Sequence, residues 1–580
     1  MHRIGPPRVE MSWPRSPAPV ASQRHGMHLQ QTRAGSRASS GLHCFADRPN
    51  SPATRYSPIE PLLEAIPAAR QEDARHYGVH PYFTRRPPNV VRRYLEHYSR
   101  EGDVVLDPFG GTGVTAIEAF LLGRRAIQND LNPFANFIAQ NIADTTLPST
   151  GPLREAFARV EKACAGPLAE VASASDKVLS AWRLKLPLPA NIRLPRNSDA
   201  EFFYDLFTPR QLVGLALIKQ AIEAEPESVT RNLLLLAWSA AVAKLNKTFL
   251  SAKGRAASRG GSSIFSIYRY KLAQECVELP IWQTFRGRFL NVLAAKEEVL
   301  RLRDYRRRQS VGKVVLDSRS NFRVLAEDAA ALEEFIRPGS VDYIFTDPPY
   351  GAFISYLDLS ILWNHWLGFH VSENARQEEA IVGGECALSE DHYKAKLAES
   401  ISTCFRLLKP ERWFSVVFQH WDASYFATIL ETAEHWGADL KAAITQTGDV
   451  IWSMHKKKNS ASVLAGEMIL TFFKPAGRSA KQSPADRPRA EDFPSLLDRA
   501  FEVCLGNGSS AFTSEALFNR LIIELWQRRA LGCLNLDRRE FAARLERRGW
   551  TYHPRQHLWL KGQSAPSAEA ELQLAFEERT

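Results

Sequence analysis

The chain lacks any run of about 18 consecutive apolar residues, so a membrane-spanning helix is not expected. Its N-terminus has no apolar core segment, and no secretory signal is expected either. Cysteine is sparse: seven residues (Cys44, Cys164, Cys276, Cys386, Cys404, Cys504, Cys533) stand far apart, with no C-x-x-C pair and no Cys/His cluster. That pattern argues against a disulfide framework or a zinc site and suits a reducing cytoplasm. Also missing are a Ser/His/Asp spacing, H-E-x-x-H, a Walker A loop, a Pro-Cys nucleophile and any internal repeat.

What is present is a chain of 580 residues, too long for one ordinary core, so two or three domains are expected. Its formal charge of +10 invites a nucleic-acid partner. Residues 1–58, however, hold eight arginines against Glu10 and Asp47, a surplus of six. More than half of the net charge therefore belongs to a Ser/Pro/Arg-rich segment expected to be a disordered tail, and net charge alone says little about partners.

Residues 59–145 read as the first part of a core. A helix is expected over 89–98, then a strand at 103–106, a glycine turn, a helix over 112–122 and a strand at 125–129. This succession is half of a doubly wound sheet. From 146 to 318 the alternation gives way to a mainly helical insertion, including 232–245 and 281–302. Residues 319–474 resume it with strands at 322–326, 342–346, 413–418, 442–454 and 467–473, the last two forming a terminal antiparallel hairpin. The expected helices of this part are 329–336, 356–367, 393–408 and 425–436. The fold class expected is thus α/β, a mostly parallel seven-stranded Rossmann-like sheet. A linker at 475–490 precedes a small unit, 491–580, whose two helices and hairpin suggest either a winged-helix-like module or a packing or dimerisation module.

Two segments carry chemistry. Val104-Val-Leu-Asp-Pro-Phe-Gly-Gly-Thr-Gly113 is a buried strand ending in Asp107 and a glycine turn, where open α/β sheets bind ligands. Gly111 and Gly113 allow close approach of a ligand to the backbone, and the following helix points its N-terminal amides at the same place. Asp130, at the end of the next strand, suits two ribose hydroxyls, and Asp328, after a third strand, an adenine amino group. A nicotinamide dinucleotide competes for such a site, but the turn is not G-x-G-x-x-G, and Asp107 suits a ligand with an amino group and a sulfonium. The second segment, Val341-Asp-Tyr-Ile-Phe-Thr-Asp-Pro-Pro-Tyr-Gly351, ends a strand in a carboxylate, two prolines and a ring. Asp347 and the Pro348 carbonyl can accept both N–H bonds of a base amino group, whose lone pair is otherwise delocalised into the ring. Pro349 stiffens the turn, and Tyr350 offers a flat face to an extruded base. Together the segments point to methyl transfer from S-adenosylmethionine to a base nitrogen, with no metal.

These motifs resemble those of the DNA amino-methyltransferases, the adenine-N6 and cytosine-N4 family. Asp107-Pro108-Phe109-Gly-Gly111-Thr-Gly113 is similar to the family's cofactor motif, and Asp347-Pro-Pro-Tyr350 to its catalytic motif. His80-Pro-Tyr82-Phe83-Thr-Arg-Arg-Pro-Pro88 resembles the segment that approaches the methionine end of the cofactor. The likeness covers about 75–145 and 320–475. Adenine-N6 members usually carry Asp or Asn before the prolines and cytosine-N4 members usually Ser, so the resemblance implies adenine. The insertion is unusual in following Asp130 and preceding the Asp328 strand.

A double-stranded DNA partner, with the target base flipped, is expected to touch the segment 244–271. It holds Lys244, Lys247, Lys253, Arg255, Arg259, Arg269 and Lys271 without an acid, interleaved with Phe265, Tyr268 and Tyr270. His420 and Trp421 suit either the pocket mouth or core packing. The expected function is a cytoplasmic site-specific DNA adenine-N6 methyltransferase, with a restriction or defence partner in view. Cytosine-N4 transfer, RNA guanine-N2 transfer and a catalytically silent DNA-binding defence subunit are the alternatives.

Overall fold

The computed structural model describes residues 59–69, 75–250, 261–309, 316–352, 354–446, 466–477, 493–506, 511–553 and 558–562. The expected tail, most of the linker, the segment with Lys253, Arg255 and Arg259, and residues 447–465 of the terminal hairpin, including the second half of the expected strand 442–454, lie outside them.

Seven strands form the central sheet: β1 (Val104–Asp107), β2 (Arg125–Asn129), β3 (Phe322–Leu325), β4 (Val341–Thr346), β5 (Leu408–Phe418), β6 (Asp439–Gln446) and β7 (Glu467–Lys474). Their order is β3-β2-β1-β4-β5-β7-β6, and β7 alone runs against the direction of the other six. This is the α/β sheet expected, terminal hairpin included. Every residue of β1 and β4 is buried, as near-continuous apolar runs require when a parallel sheet is covered on both faces. The one acid inside β4, Asp342, accepts from the Val104 amide at 3.0 Å and pairs with Lys409 at 2.7 Å and Arg412 at 3.3 Å. The strand order reverses direction between β1 and β4, the point where such sheets open a crevice.

Helix α1 (Pro88–Tyr98) begins at the Pro87-Pro88 pair, where a missing N–H costs nothing. It buries Val90, Val91, Tyr94, Leu95 and Tyr98, the apolar positions of the segment. Helix α2 (Val114–Leu121) follows the glycine turn, and α3 (Pro133–Ala143) follows β2, capped by the Asn132 side chain on the Phe134 amide at 3.2 Å. The insertion supplies α4 (Gly151–Ser173), α5 (Asp176–Lys185), α6 (Pro209–Glu223), α7 (Val229–Val242) and α8 (Ile281–Gln309). Thr208 and Gln211 cap α6 reciprocally. These helices share one hydrophobic core with α1–α3 and one face of the sheet. The insertion is therefore a layer of the α/β core and not a separately packed body.

The helix expected over 356–367 is two: α9 (Tyr356–Leu359) and α10 (Ile361–Leu367). The Tyr270 hydroxyl sits in the break, accepting from the Leu362 amide at 3.1 Å and lying 2.8 Å from the Leu359 carbonyl oxygen. A side chain inserted into the helical ladder is a sufficient cause for such an interruption. The segment expected as a helix over 329–336 is a 3-10 turn, Ala329–Glu334. On the other sheet face lie α11 (Glu390–Leu407) and α12 (Ala423–His435).

The described residues of the C-terminal unit include the helices α13 (Phe493–Leu505), α14 (Ser514–Gln527) and α15 (Arg538–Glu546) and the strands β8 (Ala511–Phe512), β9 (Trp550–His553) and β10 (Leu558–Lys561). Its sheet order is β8-β10-β9, so the expected hairpin gains a third, short strand. Trp421 packs against Phe518 at 4.7 Å and Phe541 at 5.6 Å, so it joins this unit to the core and does not line the pocket mouth. No helix among the described residues is long and apolar enough to cross a membrane.

Candidate active site

The β1–β4 pairing, with Leu106 opposite Ile344, brings the two motif segments to the same sheet edge although they are more than two hundred residues apart. Thr346, the last residue of β4, donates its hydroxyl to Asp107 Oδ1 at 2.7 Å, joining them directly. A crevice opens there. Of the expected residues, Tyr82, Asp107, Pro108, Phe109, Gly111, Asp130, Asp328, Asp347 and Pro349 line it. Arg85, Arg86, Thr112, Asn132, Tyr356 and Glu379 line it as well, none of them expected.

Two buried carboxylates hold the glycine turn. Asp107 also accepts from the Phe109 amide at 3.2 Å, and burial pushes its carboxyl up to about 7 against the hydrogen bonds from Thr115, Thr346 and Phe109. Asp130 accepts from the Gly111 amide at 2.8 Å and the Asn132 amide at 2.8 Å, and burial pushes it up to about 6. Gly111 has φ +50°, and a Cβ there would meet only the Tyr82 ring edge at 3.6 Å, so its open side is space for a ligand.

At the end of β4, Asp347 is enclosed by partners. Arg86 donates from Nε to Asp347 Oδ2 at 2.6 Å, from Nη2 to the Tyr350 hydroxyl at 3.0 Å, and from Nη1 to Glu467. The Tyr350 hydroxyl donates to Asp347 Oδ1. The neighbouring Arg85 donates to Thr112 Oγ1 at 3.0 Å and to the carbonyl oxygens of Tyr77 and His80. No carboxylate among the described residues pairs with it, and burial lowers its guanidinium to about 10. Glu379, pushed up to about 8 by burial, accepts from the Leu357 amide at 3.1 Å at the start of α9.

Several expected site residues stand elsewhere. His80 is 1 % exposed and packs edge-on against Phe134 and Trp363, with Nδ1 2.7 Å from the Pro81 carbonyl oxygen. Burial lowers it to about 3, so it is a neutral core histidine and not a wall of the crevice. Phe83 is likewise interior, against Tyr82, Phe265 and Tyr356. Gly113 does not line the crevice; its φ of +87° starts α2, and a Cβ would fall 2.7 Å from the Ala139 Cβ. Pro348 and Tyr350 flank the crevice without lining it, and the Tyr350 ring meets Phe418 edge-on at 5.2 Å. Asp328 lines it, but Oδ1 caps the Ala330 amide at 3.0 Å and Oδ2 pairs with Lys396 at 2.8 Å. Only the second lone pair of either oxygen remains for a bound amino group.

Of the basic segment, Lys244 lies 5.8 Å over the Phe249 ring and Arg269 pairs with Asp199. Tyr268 adopts φ +58°, and its phenol acts electrostatically on Tyr356 of the crevice. Phe265 contacts both Phe83 and Trp363 at 5.3 Å. With Tyr270 in the α9–α10 break, this part of the insertion is seated against the helix pair that follows the Asp347–Tyr350 turn.

Residues 28–141 match the family model described as DNA methylase, of the N6/N4 methyltransferase group. The chain is 33 % identical over 73 residues to the type II methyltransferase M.MjaII of Methanocaldococcus jannaschii, a stretch that is 12 % of this chain and 14 % of that protein's length. Both matches support the amino-methyltransferase family. Among solved structures it is similar to the antibiotic-resistance methyltransferase Kmr at 14 % identity, over 32 % of this chain and 72 % of that one, with a TM-score of 0.17. It is similar to PH0851 at 15 % identity, over 32 % and 40 % of the two chains, with a TM-score of 0.16. At those scores neither likeness bears on the function.

Proposed function

We propose that this chain is an amino-methyltransferase that methylates the N6 amino group of a flipped adenine in DNA, using S-adenosylmethionine. The observation that carries the reading is the hydrogen bond from Thr346 to Asp107, which joins the glycine turn to the Asp-Pro-Pro-Tyr turn at one crevice.

The residues present suit the cofactor. Gly111 leaves a cradle that a Cβ would fill, Asp130 lies at its rim with an unused lone pair on each oxygen, and Asp107 is a buried acid beneath the turn. Arg85, a cation without a carboxylate among the described residues, faces the crevice beside Thr112 and suits the amino-acid carboxylate. When bound, the cofactor supplies an electrophilic methyl group on a sulfonium. Asp347 and the Pro348 carbonyl accept the two N–H bonds of the base amine, draw its lone pair out of conjugation and stabilise the positive charge that grows on nitrogen. Tyr350 steadies Asp347 through its hydroxyl and offers its ring beside the base.

DNA is the proposed partner, reached through the seated basic segment around Lys244, Lys247, Tyr268 and Arg269, with the cytoplasm as the place of action. The C-terminal unit, winged-helix-like in its order of elements, packs through Trp421 against the core, an arrangement that favours a structural role for it. Cytosine-N4 transfer is the second reading, since the same acceptors suit that amine. Mapping modified bases in DNA and RNA of an expressing host tests the proposal. N6-methyladenine at one sequence is the expected result; modified RNA guanine alone would overturn it. Asp347→Ala should bind S-adenosylhomocysteine like the parent and lose methylation by at least about a hundredfold, as removal of a preorganised transition-state contact does.

A further inference from the structure

Arg86 is unexplained by the reaction as proposed above. Its side chain is 13 % exposed, and it holds Asp347, Tyr350 and Glu467 at once. A cation beside the acceptor for a nitrogen that becomes positive would oppose the chemistry if it stood alone. It does not: Arg86 with Asp347 and Glu467 carries a formal charge of −1. The triad thus keeps a donor fork next to the amine site without making the site cationic.

Both Asp347 oxygens already receive a donor, Oδ2 from Arg86 Nε and Oδ1 from the Tyr350 hydroxyl. Each oxygen keeps a second lone pair, so an incoming base amine either shares an oxygen with its donor or displaces that donor, and Arg86 once displaced has a second anchor, Glu467, on which to stay. On either path the guanidinium stays at the edge of the base beside the amine, and displacement releases its Nε–H from Asp347. What adenine and cytosine present at that position is an unprotonated ring nitrogen, an acceptor. Arginine has donors and no acceptor, and it cannot be neutralised at working pH.

We propose that Arg86 is a specificity-determining residue that donates to the ring nitrogen adjacent to the target amino group, with Glu467 fixing its guanidinium when the base displaces it from Asp347. The inference rests on the amino-methyltransferase reading and adds to it how the base edge is selected. It also gives Arg86 a waiting position, since before the base arrives the same fork holds Asp347 in place.

The test needs first the sequence that the full-length protein methylates. Duplexes then carry either adenine or 1-deazaadenine at the target; the analogue keeps the amine and replaces the ring nitrogen by C–H. For the parent protein kcat/KM should fall about 10- to 100-fold on the analogue, the worth of one hydrogen bond from a charged donor. Arg86→Met should lose a similar factor on adenine and show nearly equal rates on the two duplexes. If cytosine is the mapped base, 3-deazacytosine takes the analogue's place. Equal parental rates on the natural and deaza bases would overturn the inference while leaving the methyltransferase reading intact. So would an Arg86→Met protein that binds S-adenosylhomocysteine normally and still prefers the natural base. A parent that binds S-adenosylhomocysteine to no degree and modifies nothing would remove both. Should Arg86→Met fail to fold, the analogue comparison on the parent protein decides alone.

Discussion

Gly111 and Gly113 both have positive φ in one turn, yet the structure assigns them different work, and alanine at each separates the two. At Gly113, φ is +87° and the added Cβ would lie 2.7 Å from the Ala139 Cβ and 3.4 Å from its Cα. Left-handed backbone costs an L-residue about 1–2 kcal/mol, and forcing a methyl into a packed helix contact about 1–3 kcal/mol more. Gly113→Ala should therefore lose about 2–5 kcal/mol, lowering the melting midpoint by roughly 5–15 °C at the sensitivity of a mid-sized domain. At Gly111, φ is +50° and the nearest atom to the Cβ is Tyr82 Cε1 at 3.6 Å, an ordinary contact. The backbone cost alone applies, about 1–2 kcal/mol, but the methyl projects into the crevice. Gly111→Ala should melt only a few degrees lower and lose S-adenosylhomocysteine affinity about tenfold or more, as overfilling a tight contact costs more than a kilocalorie. Thermal scanning with and without S-adenosylhomocysteine, and calorimetric titration of the folded variants, read both quantities. A Gly113→Ala protein that melts with the parent, or a Gly111→Ala protein that binds S-adenosylhomocysteine as the parent does, would refute the assignment.

Asp107 is held up to about 7 by burial, so the folded protein keeps a proton there that the unfolded chain releases in the ordinary carboxylate range. Its contribution to stability accordingly falls as pH rises from about 4 to about 7 and is level above, with the unfolded value taken from model peptides. Asp107→Asn should flatten the melting profile over that window; identical profiles for parent and variant would exclude the effect. Tyr270→Phe removes the hydroxyl that accepts from Leu362 and lies 2.8 Å from the Leu359 carbonyl oxygen, leaving buried groups unpaired at about 1–3 kcal/mol. It should bind S-adenosylhomocysteine as before while DNA methylation drops severalfold; parental methylation would disconnect the insertion from the active site.

Much of the sheet was legible because its strands are short apolar runs closed by turn residues, and β2 has the ends expected from its sequence, Arg125–Asn129. The two turns were legible for the same reason, since Asp107 and Asp347 each end a buried run. What failed was side-chain direction. His80 sits in a motif-like segment, but nothing in the one-dimensional pattern reveals that its ring lies between Phe134 and Trp363. Arg85 and Arg86 were visible beside Pro87-Pro88, yet their partners Thr112, Asp347 and Glu467 come from three separate elements, the last 381 residues away. The break between α9 and α10 was unreadable because its cause, the Tyr270 hydroxyl, belongs to another part of the chain.

The insertion shows why chain position is a poor guide to spatial role in this fold. It leaves after β2 and returns before β3, in the half of the sheet on the far side of β1 from β4. Its helices nonetheless pack against α1–α3 in a common core, and the loop between α7 and α8 reaches back to α9 and α10 through Tyr270. The contacts that seat it are one buried hydroxyl and a run of rings, Phe83, Phe265 and Trp363. Those rings tie the loop both to the segment around Tyr82 and to the helix pair after Asp347. If the loop receives DNA as proposed, any displacement of it would reach both halves of the crevice through packed side chains that tolerate few intermediate positions.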